Sequence, residues 1–186
     1  MWHNLCGDVM DRRKAKLIVG KAGGTAGKGA KTYKVSLPNK WVEELDLSRR
    51  TMDIEFDGER IVISPRLDAR EFWERGRALG HELMKLDYYD GERLCTVIVA
   101  DFDEKRIVAE NRTDQIVKTA FGNNETPTWE DFLAFLEERC VPRARAGIRE
   151  YLDEIGVERY EPLEIVKRTS GRMAEDDQWL KCEGYR

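Results

Sequence analysis

The sequence predicts an α+β protein in two parts: a small basic unit of short strands with one short helix, then a small acidic α+β domain with a helical C-terminal part. Three observations carry that expectation. Apolar residues alternate with polar ones in short runs up to residue 65, whereas Ile148, Leu152 and Ile155 recur at helical spacing. Pro38, Asp57-Gly58 and Pro65 punctuate the first runs as turn and stop signals. Charge also divides the chain: residues 1–65 hold 12 Lys/Arg against 9 Asp/Glu, and residues 66–186 hold 20 against 27. The expected organisation is a flexible tail over 1–13, the basic unit over 14–66, and the acidic domain over 67–186. Met10 opens a natural segment, M-D-R-R-K-A-K, so what precedes it reads either as tail or as a misplaced start.

In the basic unit, Lys16–Gly20 is β-prone, and a glycine-rich loop follows to Ala30. Lys31–Leu37 reads as a strand with Tyr33, Val35 and Leu37 on one face and Lys34 and Ser36 on the other. Pro38 stops it at the start of the helix N-K-W-V-E-E-L-D, whose apolar side is Trp41, Val42 and Leu45. Met52, Ile54 and Phe56 then alternate with acids, Asp57-Gly58 turns the chain, and Ile61 and Ile63 continue on the return strand.

Between Arg12 and Lys40 stand nine Lys or Arg and no Asp or Glu, although the whole chain carries a net −4. A local field of one sign on an acidic protein implies a surface for a particular polyanion, and clustered cations suit a nucleic-acid backbone. A basic loop bound to an acidic protein, without specific DNA recognition, is the alternative. So small a unit buries little apolar area alone, which favours a homodimer.

The run Y-K-V-S-L-P-N-K-W-V-E-E-L-D-L-S, followed by M-D-I-E-F-D-G-E-R-I-V-I-S-P, resembles the AbrB/MazE family of swapped-hairpin DNA-binding domains. The shared pattern is a strand ending in proline, a short amphipathic helix ending in Leu-x-Leu, and a final hairpin. The resemblance implies a swapped-hairpin β-barrel dimer that binds double-stranded DNA. Carried onto this sequence, Lys21, Lys28, Lys31 and Lys34 face the duplex, with Lys14 and Lys16 on the approach. The dimer would be closed by Val35, Leu37, Ile54, Phe56, Ile61 and Ile63 on interleaved strands. The loop is longer and richer in glycine than the family turn, and Ser36 stands where some members carry Arg.

Motifs that suggest catalysis fail on inspection. Ala22 and Gly29 occupy the first-glycine and hydroxyl positions that a Walker loop requires around Gly27-Lys28. His81-Glu82 begins like H-E-x-x-H, but Lys85 replaces the second histidine, and the chain holds only two histidines. Glu175-Asp176-Asp177 reads as a solvated acidic turn. The expectation is a non-enzymatic protein without metal or cofactor. Cys6, Cys95, Cys140 and Cys182 lie far apart with no C-x-x-C pair, which fits free thiols in a reducing cytoplasm. No apolar run approaches the ~20 residues of a membrane span.

In the acidic domain, 67–86 reads as one amphipathic helix with Phe72, Trp73, Leu79, Leu83, Met84 and Leu86 apolar and His81 polar. Leu94–Ala100 reads as a buried strand, and a turn at 103–105 leads to its neighbour, Arg106–Asn111. Thr128 and Asp131 form a capping box before Phe132, Phe135 and Leu136. Pro142 marks the next helix start, Gly156 its end, and Pro162–Lys167 a last helical turn closed around Gly171. Trp179, Leu180 and Tyr185 are either core or an exposed anchor. Arg139, Pro142, Arg145 and Asp177-Gln178-Trp179, with the strand pair V-I-V-A-D-F-D-E-K-R-I-V-A-E-N, resemble a segment that accompanies the kinase core in HipA-like toxins. Kinase motifs are missing, so the resemblance implies an accessory module that binds a HipA-like kinase toxin.

Overall fold

The computed structural model describes residues 11–21, 30–56 and 58–185, and its contacts divide the chain after Arg66. The first unit contains two separate antiparallel hairpins, β1 (Ile18–Lys21) with β2 (Lys31–Lys34) and β3 (Met52–Phe56) with β4 (Ile61–Pro65). Between them lies α1 (Asn39–Glu44), entered from extended Pro38. The strand expected over 31–37 thus ends at Lys34, and Val35–Pro38 runs into the helix as unpaired chain. Gly58 takes the turn at φ 97°, a conformation that glycine adopts without a Cβ clash.

Packing in this unit is sparse. Among its described residues only Leu47 is buried. A two-stranded hairpin is marginal in water without a covered face, and here neither hairpin has one. Among the described residues no closed barrel forms.

The second unit carries its own core. Its sheet has the order β7-β6-β5-β8, all antiparallel, from β5 (Leu83–Asp90), β6 (Arg93–Asp101), β7 (Arg106–Asn111) and β8 (Gln178–Tyr185). Met84, Leu86, Tyr88, Ile98, Ala100 and Leu180 project to one face. There they meet Phe132, Phe135 and Leu136 of α3 (Trp129–Glu138), Leu152 of α4 (Ile148–Ile155), and Ile165 and Val166 of α5 (Pro162–Thr169). Val97 and Val99 project to the other face, under Ala69 and Phe72 of α2 (Ala69–Leu79). Among the described residues the architecture is therefore mixed α+β, with antiparallel sheets and five α-helices.

The single helix expected over 67–86 is corrected. Asp68 starts α2 with a capping box to Glu71, and Gly80 ends it at φ 75°, a left-handed cap. Residues 83–90 then form β5, so Leu83, Met84 and Leu86 are strand residues and His81 lies in the connection. β8 has no counterpart in the sequence reading: Leu180 is core, while Trp179 and Tyr185 are half-buried on the opposite face. Pro142 precedes a turn, and α4 starts only at Ile148. The Thr128–Asp131 capping box stands where the sequence placed it. No helix among the described residues is long and apolar enough to cross a membrane.

Candidate nucleic-acid interface

Five of the first unit's lysines lie on the β1–β2 ribbon or in the chain leading to it. Lys14 and Lys16 lie in irregular chain before β1, Lys21 closes β1, and Lys31 and Lys34 open and close β2; all five are exposed. Lys28 and most of the glycine-rich loop lie outside the described residues, as do residues 1–10 of the tail expected over 1–13. The Trp41 indole of α1 donates to Asp11 Oδ2 at 3.0 Å, seven residues before β1. That contact crosses 30 residues, and only Trp41's place on the short helix hints at it in the sequence. It joins Asp11, which is followed by Arg12, Arg13 and Lys14, to α1.

Register sorts the lysines. Ile18 stands opposite Lys34, Val19 opposite Tyr33, Gly20 opposite Thr32, and Lys21 opposite Lys31. Directly opposed residues share a face and faces alternate along each strand. Lys21 and Lys31 therefore lie together with Val19 and Tyr33, while Lys34 lies on the other face with Ile18, Gly20 and Thr32.

The six expected dimer residues divide similarly. The β3–β4 register pairs Ile54 with Ile63, Phe56 with Ile61, and Met52 with Pro65, one continuous apolar face. Phe56, Ile61 and Ile54 on it are 72%, 69% and 68% exposed. Asp53, Glu55, Val62 and Ser64 make up the opposite face. Val35 and Leu37 are not in a strand: Val35 is exposed and Leu37 half-buried on the way into α1.

The polar constellations of the second unit have structural partners. His81 Nδ1 lies 2.7 Å from Asp101 Oδ2, and Asp101 Oδ1 accepts from the backbone N–H of Asp103 and Glu104. Asp103 accepts from the Glu82 N–H at 2.7 Å. These three side chains bring ligand atoms within 4.8 Å of one another, and their bonds fasten the α2–β5 connection to the β6–β7 turn. The hydrogen bond to Asp101 holds the imidazole above its ordinary pKa.

Arg139, Asp176 and Gln178 also meet. Arg139 Nη1 and Nη2 donate to the two Asp176 carboxylate oxygens at 2.6 and 2.9 Å, and Nε donates to the Gly171 carbonyl at 3.0 Å. Gln178 accepts through both its side-chain and backbone oxygens, and the Tyr88 hydroxyl donates to that same side-chain oxygen. The acidic turn is thus anchored through Asp176 instead of being merely solvated. The guanidinium hydrogen bonds hold the Asp176 carboxyl below the usual range, and burial pushes Tyr88 up to about 12. Burial likewise raises Cys140 to about 12 and Cys182 to about 11, values of inert thiols. Cys95, Cys140 and Cys182 are all free.

No family model, curated protein or solved structure matches the chain.

Proposed function

We propose that the chain is a DNA-binding transcriptional regulator of antitoxin type, acting as a homodimer that represses its own operon. In this reading two copies interleave their first units into a swapped-hairpin barrel of the AbrB/MazE kind. The Met52–Phe56 and Ile61–Pro65 faces become the shared core, and the basic run meets the duplex. The acidic second unit docks a HipA-like kinase toxin.

One observation carries the proposal: the first unit joins a near absence of buried residues to an acid-free run of cations. An exposed, contiguous apolar face marks an interaction site. A second copy is the economical occupant, because an isologous contact covers the same face on both chains at once. The cations left on the outside then form a doubled positive surface, which suits a duplex more than a small ligand. Further support comes from charge: the second unit, rich in carboxylates, repels phosphate and leaves DNA to the first.

The test is fluorescence anisotropy of the full chain with a duplex from upstream of its own gene, against a scrambled duplex. Tight binding to the first, weakened by salt, is expected. If two copies each place about four lysines on phosphates, the log–log salt slope is about −7. Lack of binding to either duplex in low salt contradicts the proposal.

A further inference from the structure

We infer that one face of the β1–β2 ribbon, carrying Val19, Lys21, Lys31 and Tyr33, seats a phosphodiester backbone, and that Lys34, on the opposite face, does not contact it. The inference rests on the DNA reading above and divides lysines that the reading leaves together. The register makes the division, since Lys21 opposes Lys31 and Lys34 opposes Ile18.

Lys21 and Lys31 form the last pair of the ribbon before the loop. Opposed residues of an antiparallel ladder have Cα atoms about 4.5–5.5 Å apart, and like charges there destabilise the pair. Neither lysine has an ion-pair partner among the described residues, and no carboxylate lies between Arg12 and Lys40 in the sequence to screen them. Successive backbone phosphates, one on each ammonium group, would offset that repulsion and accept a charge-assisted hydrogen bond from each lysine. Tyr33, 60% exposed on the same face, adds a ring that can pack on a sugar and a hydroxyl that can donate to phosphate or a base edge.

The other face is built differently. Gly20 leaves it flat: a Cβ there would stand 2.9 Å from Thr32 Oγ1, so the Thr32 side chain already lies across the strand. Ile18 adds an apolar contact, and Lys34 is a single charge with no like neighbour across the ladder. A flat, largely apolar surface with one cation is suited to packing against protein and not to gripping a polyanion.

Full-length variants compared by anisotropy on the same duplex, from about 50 to 300 mM salt, test the assignment. At about 0.9 per phosphate contact and two copies per duplex, Lys21→Ala should flatten the log–log slope by about 1.8, and Lys21→Ala/Lys31→Ala by about 3.6. Lys34→Ala should leave the slope unchanged. Tyr33→Phe should weaken binding without changing the slope. Circular dichroism of each variant should match the parent, since all three lysines are exposed. A Lys34→Ala slope change equal to that of Lys21→Ala, or an unchanged slope in the double variant, overturns the assignment while leaving the DNA reading standing. Displacement of the duplex by polyglutamate at equal charge concentration would move this face to an acidic-protein partner and overturn it as well. A parent protein that binds no duplex removes the DNA reading itself, and the assignment with it.

Discussion

All five N–H groups of the Arg139 guanidinium have partners, supplied by Gly171, Asp176 and Gln178. The side chain is 7% exposed, so removing it strands a carboxylate and three carbonyl-type oxygens in a half-buried pocket. Arg139→Ala should therefore cost about 3–5 kcal/mol of second-unit stability, read from urea midpoints, and Arg139→Lys should recover only part because it lacks the bidentate fork. A loss below about 1 kcal/mol would mean the network is not what holds β8 to the helices. Protonation acts on two sides. Asp176 has a lowered pKa in the fold, so its contribution is present above the ordinary 3.8 and is lost as acid carries pH down through the lowered value. His81 has a raised pKa, so its contribution is full below 6.5 and disappears as pH rises through the raised value. Stability measured from pH 3 to 9 should show a plateau between these limbs, and His81→Gln should remove the alkaline one. Sequence reading reached Arg139 and the Asp177-Gln178-Trp179 run only through a family resemblance. Their physical link spans 37 to 39 residues, a separation that no local pattern encodes.

At the scale of elements, local signals were legible and long-range ones were not. The Thr128–Asp131 capping box, the turn at Gly58 and the Gly156 stop each act within a few residues, and each is legible in the sequence alone. The helix expected over 67–86 failed because Leu79, Leu83 and Leu86 mimic a helical stripe across a break. The decisive signs were Gly80, which caps α2 in the left-handed region, and the alternation of Met84, Leu86 and Tyr88 with Lys85 and Asp87. β8 was missed for a related reason: Leu180 and Cys182 alternate with Lys181 and Glu183, but over too short a span to stand out beside a chain end. The join between α2 and β5 makes a sharp prediction. A Cβ on Gly76 would lie 2.6 Å from Leu83 Cδ2 and 3.0 Å from Cδ1, so helix and strand approach closely there. Gly76→Ala, which gains helix propensity, should nonetheless destabilise by about 1–3 kcal/mol through overpacking. Stabilisation by that substitution would show that α2 can ride away from the sheet.

At the scale of the molecule the two units differ in kind. Residues 67–186 close two hydrophobic clusters around one sheet, whereas the first unit leaves its apolar faces in water. A fragment of 67–186 should accordingly sediment as a monomer, unfold cooperatively and leave DNA unshifted; a fragment that aggregates would mean its core needs the first unit. The sequence made this division visible through charge and the size of the basic unit. It could not show register, and register is what places Lys21 with Lys31 and gathers Met52, Ile54, Phe56, Ile61 and Ile63 on one face. In the proposed function two chains complete each other's first unit and together grip a duplex. Native mass spectrometry of the full chain mixed with an upstream duplex tests it most directly. Free protein is expected at twice the 21.6 kDa chain mass, with a complex of two chains per duplex and without a one-chain species. A folded 21.6 kDa monomer that stays free of DNA, or binds it one chain at a time, would contradict it.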